Sequence, residues 1–600
     1  MVVAAVIAPG LVVAAMVLPW LTLLPVHGAA QVVAHATALI AALHGAGLVV
    51  ARLAGARDAA PWLVLQWGVA GLIGLSGIAI AAGAGTLAVH SILVFGFVAV
   101  HTAWVGFRFE HHARRVAATL AGLPSWAVPA VLLAGLGALA VVGGLGDPPA
   151  RPFDDEGHVL AQVRRVLDTG ALADPIGYPR SVQLGAQVAL AAIASGAGEA
   201  GAALVEPLAL VLVLGLAIAQ IRARDRSAGL WAGVLVVAAS GLALAPGDPL
   251  PCWTAVGLSV ALYTMLGDAE QPPALPLALT AGALIALRYE LAPIAATAVI
   301  AAWWRRRDDH HCTAILIGGV FAVGFPFLVA RMIAWRSVPA IAHAALAGPP
   351  PTPLVLRLAL AVAIAVPAAG VLHLVLPDSR AMRSAAIATA AALGGVAAHV
   401  TSTGPYALRL AWPIALAFAV ILVIELARTR ASGAAAMITA LVLCLVAQGG
   451  GAAPGWSRRI AAAATAIEVI ERPPAGPPAP YGELLASAPR GTTVAIWVTE
   501  PELIDYADHR IIDLRTPAGA RLRQHPMGRN RIDGLVTQLS AQFLLIERDE
   551  SHARRGQASM VYRWLCPAPV APCADDLEAL ALEHPVIARR GNAALVDLRR

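Results

Sequence analysis

Residues 151–160, RPFDDEGHVL, set three carboxylates side by side, Asp154, Asp155 and Glu156, in a chain that is otherwise almost unbroken apolar helix. The stretch they lead into, GHVLAQVRRVLDTG, carries Val159, Leu160, Val163, Val166 and Leu167 at three- and four-residue spacing. That spacing predicts an amphipathic helix lying along a membrane surface, with Arg164, Arg165 and Asp168 toward water. Two roles are open to the acidic residues. Asp is a favoured helix N-cap, and Glu in a first turn complements the helix dipole. A carboxylate held at the helix start beside the membrane could also act as a general base, although spacing alone favours the cap.

A second charged group, Arg288 and Glu290 in ALRYELAP, sits in apolar sequence. Ionised groups inside a membrane cost on the order of 2.5–3.5 kcal/mol each on insertion scales, so they pair or face a cavity. Here a structural Arg–Glu pair and a functional guanidinium fit equally. Arg331 and Arg336 in ARMIAWRSVP and Arg409 in GPYALRLAWP add further cations. A snorkelling anchor explains any one of them. Several converging near carboxylates suit an anionic phosphate, whose oxygens match the guanidinium fork. Asp248 in APGDPLP adds a carboxylate, although Asp-Pro is also an ordinary turn. His35, His44, His90, His101 and His399 lie in apolar runs and read as residues packed between helices. EHHARR, with His111 and His112, lacks metalloprotease spacing. The sequence shows no zinc-spacing set. It shows no nucleotide-binding glycine loop, which disfavours an enzyme of cytoplasmic nucleotide-sugars. The carboxylates permit a divalent metal without requiring one.

The elements that must position these residues are membrane helices. The chain has 600 residues, 59% hydrophobic and 13% charged, with mean hydropathy +0.74. Apolar runs of ~20 residues, long enough to cross ~30 Å of hydrocarbon, recur over three-quarters of it. Expected spans are 2–25, 31–53, 62–84, 86–107, 127–147, 201–221, 228–246, 252–267, 274–287, 290–304, 312–333, 354–376, 384–402, 407–427 and 433–452, or roughly 14–16 crossings. With no basic residue before Arg52 except histidine, residues 2–25 read as a first membrane helix rather than a cleaved signal. All the basic residues other than histidine are arginine, and the net charge of +6 comes mostly from short inter-helix loops. Topology accounts for it, and nucleic acid is not implied as a partner. The loops RLAGAR, RFEHHARR, RARDR, WWRRRDDHH, PDSRAMR and RTR are cytoplasmic by the positive-inside rule. Helix parity then puts residues 148–182, GDPLP at 247–251, the 334–353 loop and everything after 453 outside. Residues 183–197 are too short to span and read as a re-entrant or interfacial helix.

After Gly451 the composition changes. RPPAGPPAP (472–480) is a Pro-rich linker. TTVAIWV (492–498), RIIDLR (510–515) and FLLIERD (543–549) then alternate with the helical stretches RIDGLVTQLSAQ and ADDLEALALEHP, which predicts a small α/β domain. Cys566 and Cys573 lie close enough in sequence to form a disulfide in an oxidising compartment.

These features together resemble the GT-C superfamily, the multi-spanning glycosyltransferases that use polyprenyl-phosphate-linked sugars and include the protein mannosyltransferase and aminoarabinose transferase families. The resemblance runs from about residue 127 to the end. It lies in the order of an acidic outer loop with its amphipathic helix, an Arg-containing short helix pair (LRYELAP), a late element (YALRLAWP) and an extracytoplasmic α/β domain. The chain departs from the family in having about four extra helices before the acidic loop, and in the reduced form, GYPRSVQLGAQ, of the usual Pro-rich start to the next helix.

The expected fold is a polytopic α-helical membrane protein, GT-C-like, with a small C-terminal extracytoplasmic α/β domain. The expected division is N-terminal extra helices at 1–126, a transmembrane catalytic module at 127–452 with outer loop 148–182, a linker at 453–480 and the α/β domain at 481–600. The resemblance implies transfer of a sugar from a polyprenyl-phosphate donor to a glycan, lipid or protein acceptor at the outer face of the cell membrane. It implies Asp155 as base, assisted by Asp154 or Glu156, with Asp248, Arg288, Glu290, Arg331, Arg336 and Arg409 toward the substrates. The rival readings are an O-antigen ligase or polymerase type of enzyme, and a non-catalytic transporter or envelope scaffold.

Overall fold

The computed structural model describes residues 2–24, 29–56, 58–121, 156–171, 185–198, 201–222, 252–268, 272–288, 291–337, 387–394, 411–428, 481–498, 504–513, 540–547 and 580–599. The protein is a multi-pass α-helical membrane protein with a small sheet-containing domain at its C-terminal end. Four described helices are long and apolar enough to cross a membrane, and six shorter apolar ones accompany them.

The membrane part comprises α1 (Val2–Val17), α2 (Ala29–Leu53), α3 (Pro61–Ala81), α4 (Leu87–Phe107), α5 (Phe109–Ala121), α6 (Glu156–Thr169), α7 (Ala186–Gly196), α8 (Gly201–Arg222), α9 (Cys252–Asp268), α10 (Ala274–Leu287), α11 (Ala292–Arg305), α12 (His310–Ser337) and α13 (Ala411–Arg428). The expected first span divides into α1 and a 3-10 turn, Leu18–Leu23, which begins at the Pro19 step. Expected spans 127–147, 228–246, 354–376 and 433–452 lie outside the described residues, and 384–402 is described only at 387–394, which is helical.

Close approach of small residues holds the bundle together, as expected where lipid removes the hydrophobic drive between helices. A methyl group on Gly68 of α3 would collide with the backbone carbonyl of Leu43 in α2, and one on Gly47 with that of Val64. Replacing Gly68 with Val should therefore force α2 and α3 apart and lower stability by about 1–3 kcal/mol, read as a fall in the thermal unfolding midpoint. One apolar core runs from Ala38 in α2 to Ile414 in α13 and includes residues of α3, α4, α6, α7 and α9–α12.

Contacts also fix helix direction. Gly74 and Gly77 of α3 face Val323 and Phe327 of α12, while Ala278 and Gly282 of α10 face Gly319 and Val320. Thus α3, α10 and α12 run the same way. At the end where they start lie Arg52, Arg108, Arg114, Arg115 and Arg305–Arg307, with an aromatic fringe: Arg108 stacks over Trp104 and Arg307 over Trp304. Such arginine and aromatic enrichment is what a membrane interface favours. At the other end, Gly85 beyond α3 donates its N–H to Gly170 O (2.8 Å), so α6 lies at the end opposite the basic loops. Helix α7, within expected segment 183–197, is buried along nearly all of its 11 residues. At 1.5 Å per residue it covers ~16 Å, too short to cross.

Among the described residues the C-terminal domain has a five-stranded sheet in the order β2-β1-β3-β5-β4, preceded by the short helix α14 (Tyr481–Leu485). Strands β1 (Thr493–Trp497), β2 (Arg510–Asp513) and β3 (Phe543–Glu547) are parallel and match three predicted apolar runs. β4 (Val586–Arg590) and β5 (Ala593–Asp597) add an antiparallel hairpin that the sequence reading missed. Its two-residue Gly591-Asn592 loop, with Gly591 at φ +56°, is a recognisable hairpin signal.

Candidate functional site

The site is assembled around α6. Its first residue is Glu156, whose side chain lies outside the described residues, as do Asp154 and Asp155 altogether. One face of α6 packs into the membrane bundle: Val163 and Val166 belong to the main apolar core, and Gln162 is buried with its Oε1 unpartnered. Another face meets the C-terminal domain. Arg165 is only 5% exposed; its Nη2 donates to Ile511 O at 2.7 Å and its guanidinium lies 4.8 Å from the Tyr506 ring centre. The Tyr506 N–H donates to Asp168 Oδ2 at 3.0 Å, which also accepts from Arg164 Nε at 3.0 Å. The expectation that Arg164, Arg165 and Asp168 all face water is corrected: Arg164 is exposed, but Arg165 and Asp168 bind the domain. The sequence reveals a polar face but not what covers it.

Burial raises the Asp168 carboxyl above its ordinary 3.8, against the Tyr506 N–H and Arg164, which lower it; neighbouring Asp505 adds to the rise. A carboxyl with a raised folded pKa contributes stability that is present below its unfolded value and lost as pH rises through the folded one. Asp168→Asn keeps an acceptor for Tyr506 and gives up the ion pair with Arg164, whose own side chain is largely open to water. It should leave docking at least as firm at neutral pH and flatten its dependence on pH above 3.8, as read by limited proteolysis between domain and bundle.

Arg288 lies at the same end. It follows α10, its backbone is extended (φ −151°, ψ 109°), and its N–H caps Leu284 O at 3.0 Å. Pro293 in the first turn of α11 prevents the two helices from being continuous. Each has 14 residues, ~21 Å, so their junction is an interruption rather than a loop beyond a full span. Arg288 is 2% exposed, and among the described residues its Nε and Nη2 have no hydrogen-bond partner. A buried guanidinium left so is costly, because two charged donors have lost water without replacement. An anion is one partner that donors of this kind suit.

Glu290, Asp248 and Arg409 lie outside the described residues. Arg331 and Arg336 are in α12, which puts them near the end where Arg288 sits, but their side chains are not described. Sequence reasoning passed over Glu206. This carboxylate of α8 accepts from Trp253 N–H at 2.6 Å and from the Thr254 hydroxyl at 2.7 Å, capping α9. That satisfies orphan donors at a helix start and explains an acid in an apolar run.

This chain is similar to ArnT from Cupriavidus metallidurans. The crystal structure of that protein bound to undecaprenyl phosphate aligns at 16% identity and a TM-score of 0.37, covering 78% of this chain and 97% of that one. No protein family and no curated protein matches the chain.

The histidines in apolar helices sit between helices. His90 Nδ1 lies 3.0 Å from Thr86 O and therefore carries the proton, which leaves Nε2 to accept from Ser76 Oγ at 2.7 Å. Both side chains are fully buried, and the pair ties α3 to α4. His101 and His44 approach at 2.9 Å through their Nδ1 atoms, next to Trp104 near the basic end. His35 is buried in α2, and His399 lies outside the described residues. Among the described residues no group of three or more His, Cys, Asp or Glu side chains could hold a metal ion. Cys312 is free and buried; Cys566 and Cys573 lie outside the described residues.

Proposed function

We propose that this protein is a membrane glycosyltransferase of the GT-C type, moving a sugar from a polyprenyl-phosphate donor to an acceptor hydroxyl on the extracytoplasmic face. The observation that carries the reading is Arg288: a buried guanidinium, with two unpartnered nitrogens, at the end of the bundle that holds α6 and the C-terminal domain. That end is opposite the basic loops, and the positive-inside rule supports reading it as the outer one. A phosphate oxygen is the partner such a fork fits.

In the proposed step Asp155 accepts the proton of the acceptor hydroxyl. The acceptor oxygen then bonds to the anomeric carbon, and the bond from that carbon to the phosphate oxygen breaks. Its electron pair stays with the polyprenyl phosphate, on which negative charge grows. Arg288 stabilises that charge, with Arg331, Arg336 and Arg409 as further candidates. Asp154, Glu156, Asp248 and Glu290 are candidates for holding the acceptor or assisting the base. The C-terminal domain covers the site and takes part in choosing the acceptor.

The test uses full-length protein in nanodiscs. Undecaprenyl phosphate should bind and should compete with turnover of undecaprenyl-phosphate-linked pentoses or hexoses, assayed one at a time. Neither binding nor turnover would leave the scaffold reading in its place.

A further inference from the structure

Arg165 plays no part in the transfer step, yet it is among the most deeply buried charged groups described, and it joins two parts of the chain. Helix α6 is gripped on three sides. Val163 and Val166 are packed in the membrane core, the Gly85 N–H holds Gly170 just past the helix end, and Arg165 and Asp168 bind the C-terminal domain. The carbonyl that Arg165 reaches belongs to Ile511 in β2, which is at the edge of the described sheet. An edge strand presents carbonyls with no neighbouring strand, and the guanidinium supplies the missing donor. The same group lies on the face of Tyr506, whose own N–H returns to Asp168 one turn along α6. The connection is thus reciprocal: the helix donates to the domain and the domain donates to the helix.

We propose that Arg165 is a positioning residue, which fastens the C-terminal domain to α6 and so fixes where the start of that helix, at Glu156, lies. This rests on the reading of Asp155 as the base. Geometry makes the lever effective. Helix α6 has 14 residues, ~21 Å, so a tilt of about 5° moves its first residue by ~2 Å. Misplacement of a reacting group by about 1 Å can cost ~100-fold in rate. Docking of the domain is therefore a condition for catalysis, not only for acceptor choice.

The experiment compares wild type, Arg165→Met and Arg165→Lys as full chains in nanodiscs, by hydrogen exchange and by kinetics. Met keeps the aliphatic stem without the donors; Lys keeps a donor and a cation for Tyr506. In Arg165→Met, exchange should quicken in both 156–171 and 504–513. Its kcat should fall roughly 10- to 100-fold, with KM for the undecaprenyl-phosphate-linked sugar and affinity for undecaprenyl phosphate unchanged. Arg165→Lys should recover part of both. Unchanged exchange, or faster exchange in 504–513 alone, overturns the fastening. Faster exchange in both segments with unchanged kcat overturns the positioning. If the wild type turns over no such donor, it is the transfer reading that falls. Exchange in 156–171 then still decides whether the domain orders the acidic helix.

Discussion

Asp155→Asn should lower kcat by about 10²–10⁴, the usual worth of a well-placed general base, while affinity for undecaprenyl phosphate stays at the wild-type level. The amide is nearly isosteric and can still cap a helix, so it separates the two roles open to this residue. Loss of a cap would appear as a thermal destabilisation of about 0.5–2 kcal/mol, and Asn should produce almost none. Loss of a base appears in turnover alone. Asp154→Asn and Glu156→Gln should have smaller effects, because they only assist. A folded Asp155→Asn protein with full transferase activity would remove the base from Asp155.

The spans were legible because hydropathy is a local property: α2, α3, α4, α9, α10 and α12 lie within a few residues of the apolar runs that predicted them. The break at Arg288 was legible for the same reason, since Pro293 and the charged pair Arg288 and Glu290, one residue apart, interrupt an apolar run. What could not be read was pairing. The periodicity of α6 separates an apolar from a polar face, but only the fold shows that β2 and Tyr506 cover Arg165. Glu206 is a similar case, because its partners at the start of α9 are 47 and 48 residues away. The hairpin β4–β5 was missed for a different reason. β4, VIARR, is a largely exposed edge strand with two arginines, so it lacks the apolar run by which β1 and β3 announce themselves. The Gly591-Asn592 pair is the local signal that marks its turn.

Replacing Arg288 with Met should weaken undecaprenyl phosphate binding and abolish most turnover while raising, not lowering, the thermal stability of the protein. The two effects have one cause. The guanidinium is 2% exposed and two of its nitrogens lack a hydrogen-bond partner among the described residues, so it is held at a cost. Substituting an apolar side chain of similar length for a buried charge commonly stabilises by about 1–4 kcal/mol. When the phosphate arrives the same donors find their partner, and a hydrogen bond between charged groups is worth about 1.5–3 kcal/mol. Affinity should thus fall roughly ten- to hundredfold, at about 1.4 kcal/mol per factor of ten. Turnover should fall further, by about 10²–10³, because charge on the phosphate grows as the sugar departs. Arg288→Lys discriminates geometry from charge: it keeps the buried cation, so it should bring no gain in stability, yet a point charge cannot replace the fork. Its binding and turnover should lie between wild type and Met. A Met variant that binds undecaprenyl phosphate normally would take Arg288 out of the site. One that unfolds at lower temperature would make the guanidinium a structural element. Higher stability with lost function is the combination expected of a charge kept in place for a ligand, since a site optimised to receive an anion is strained without it.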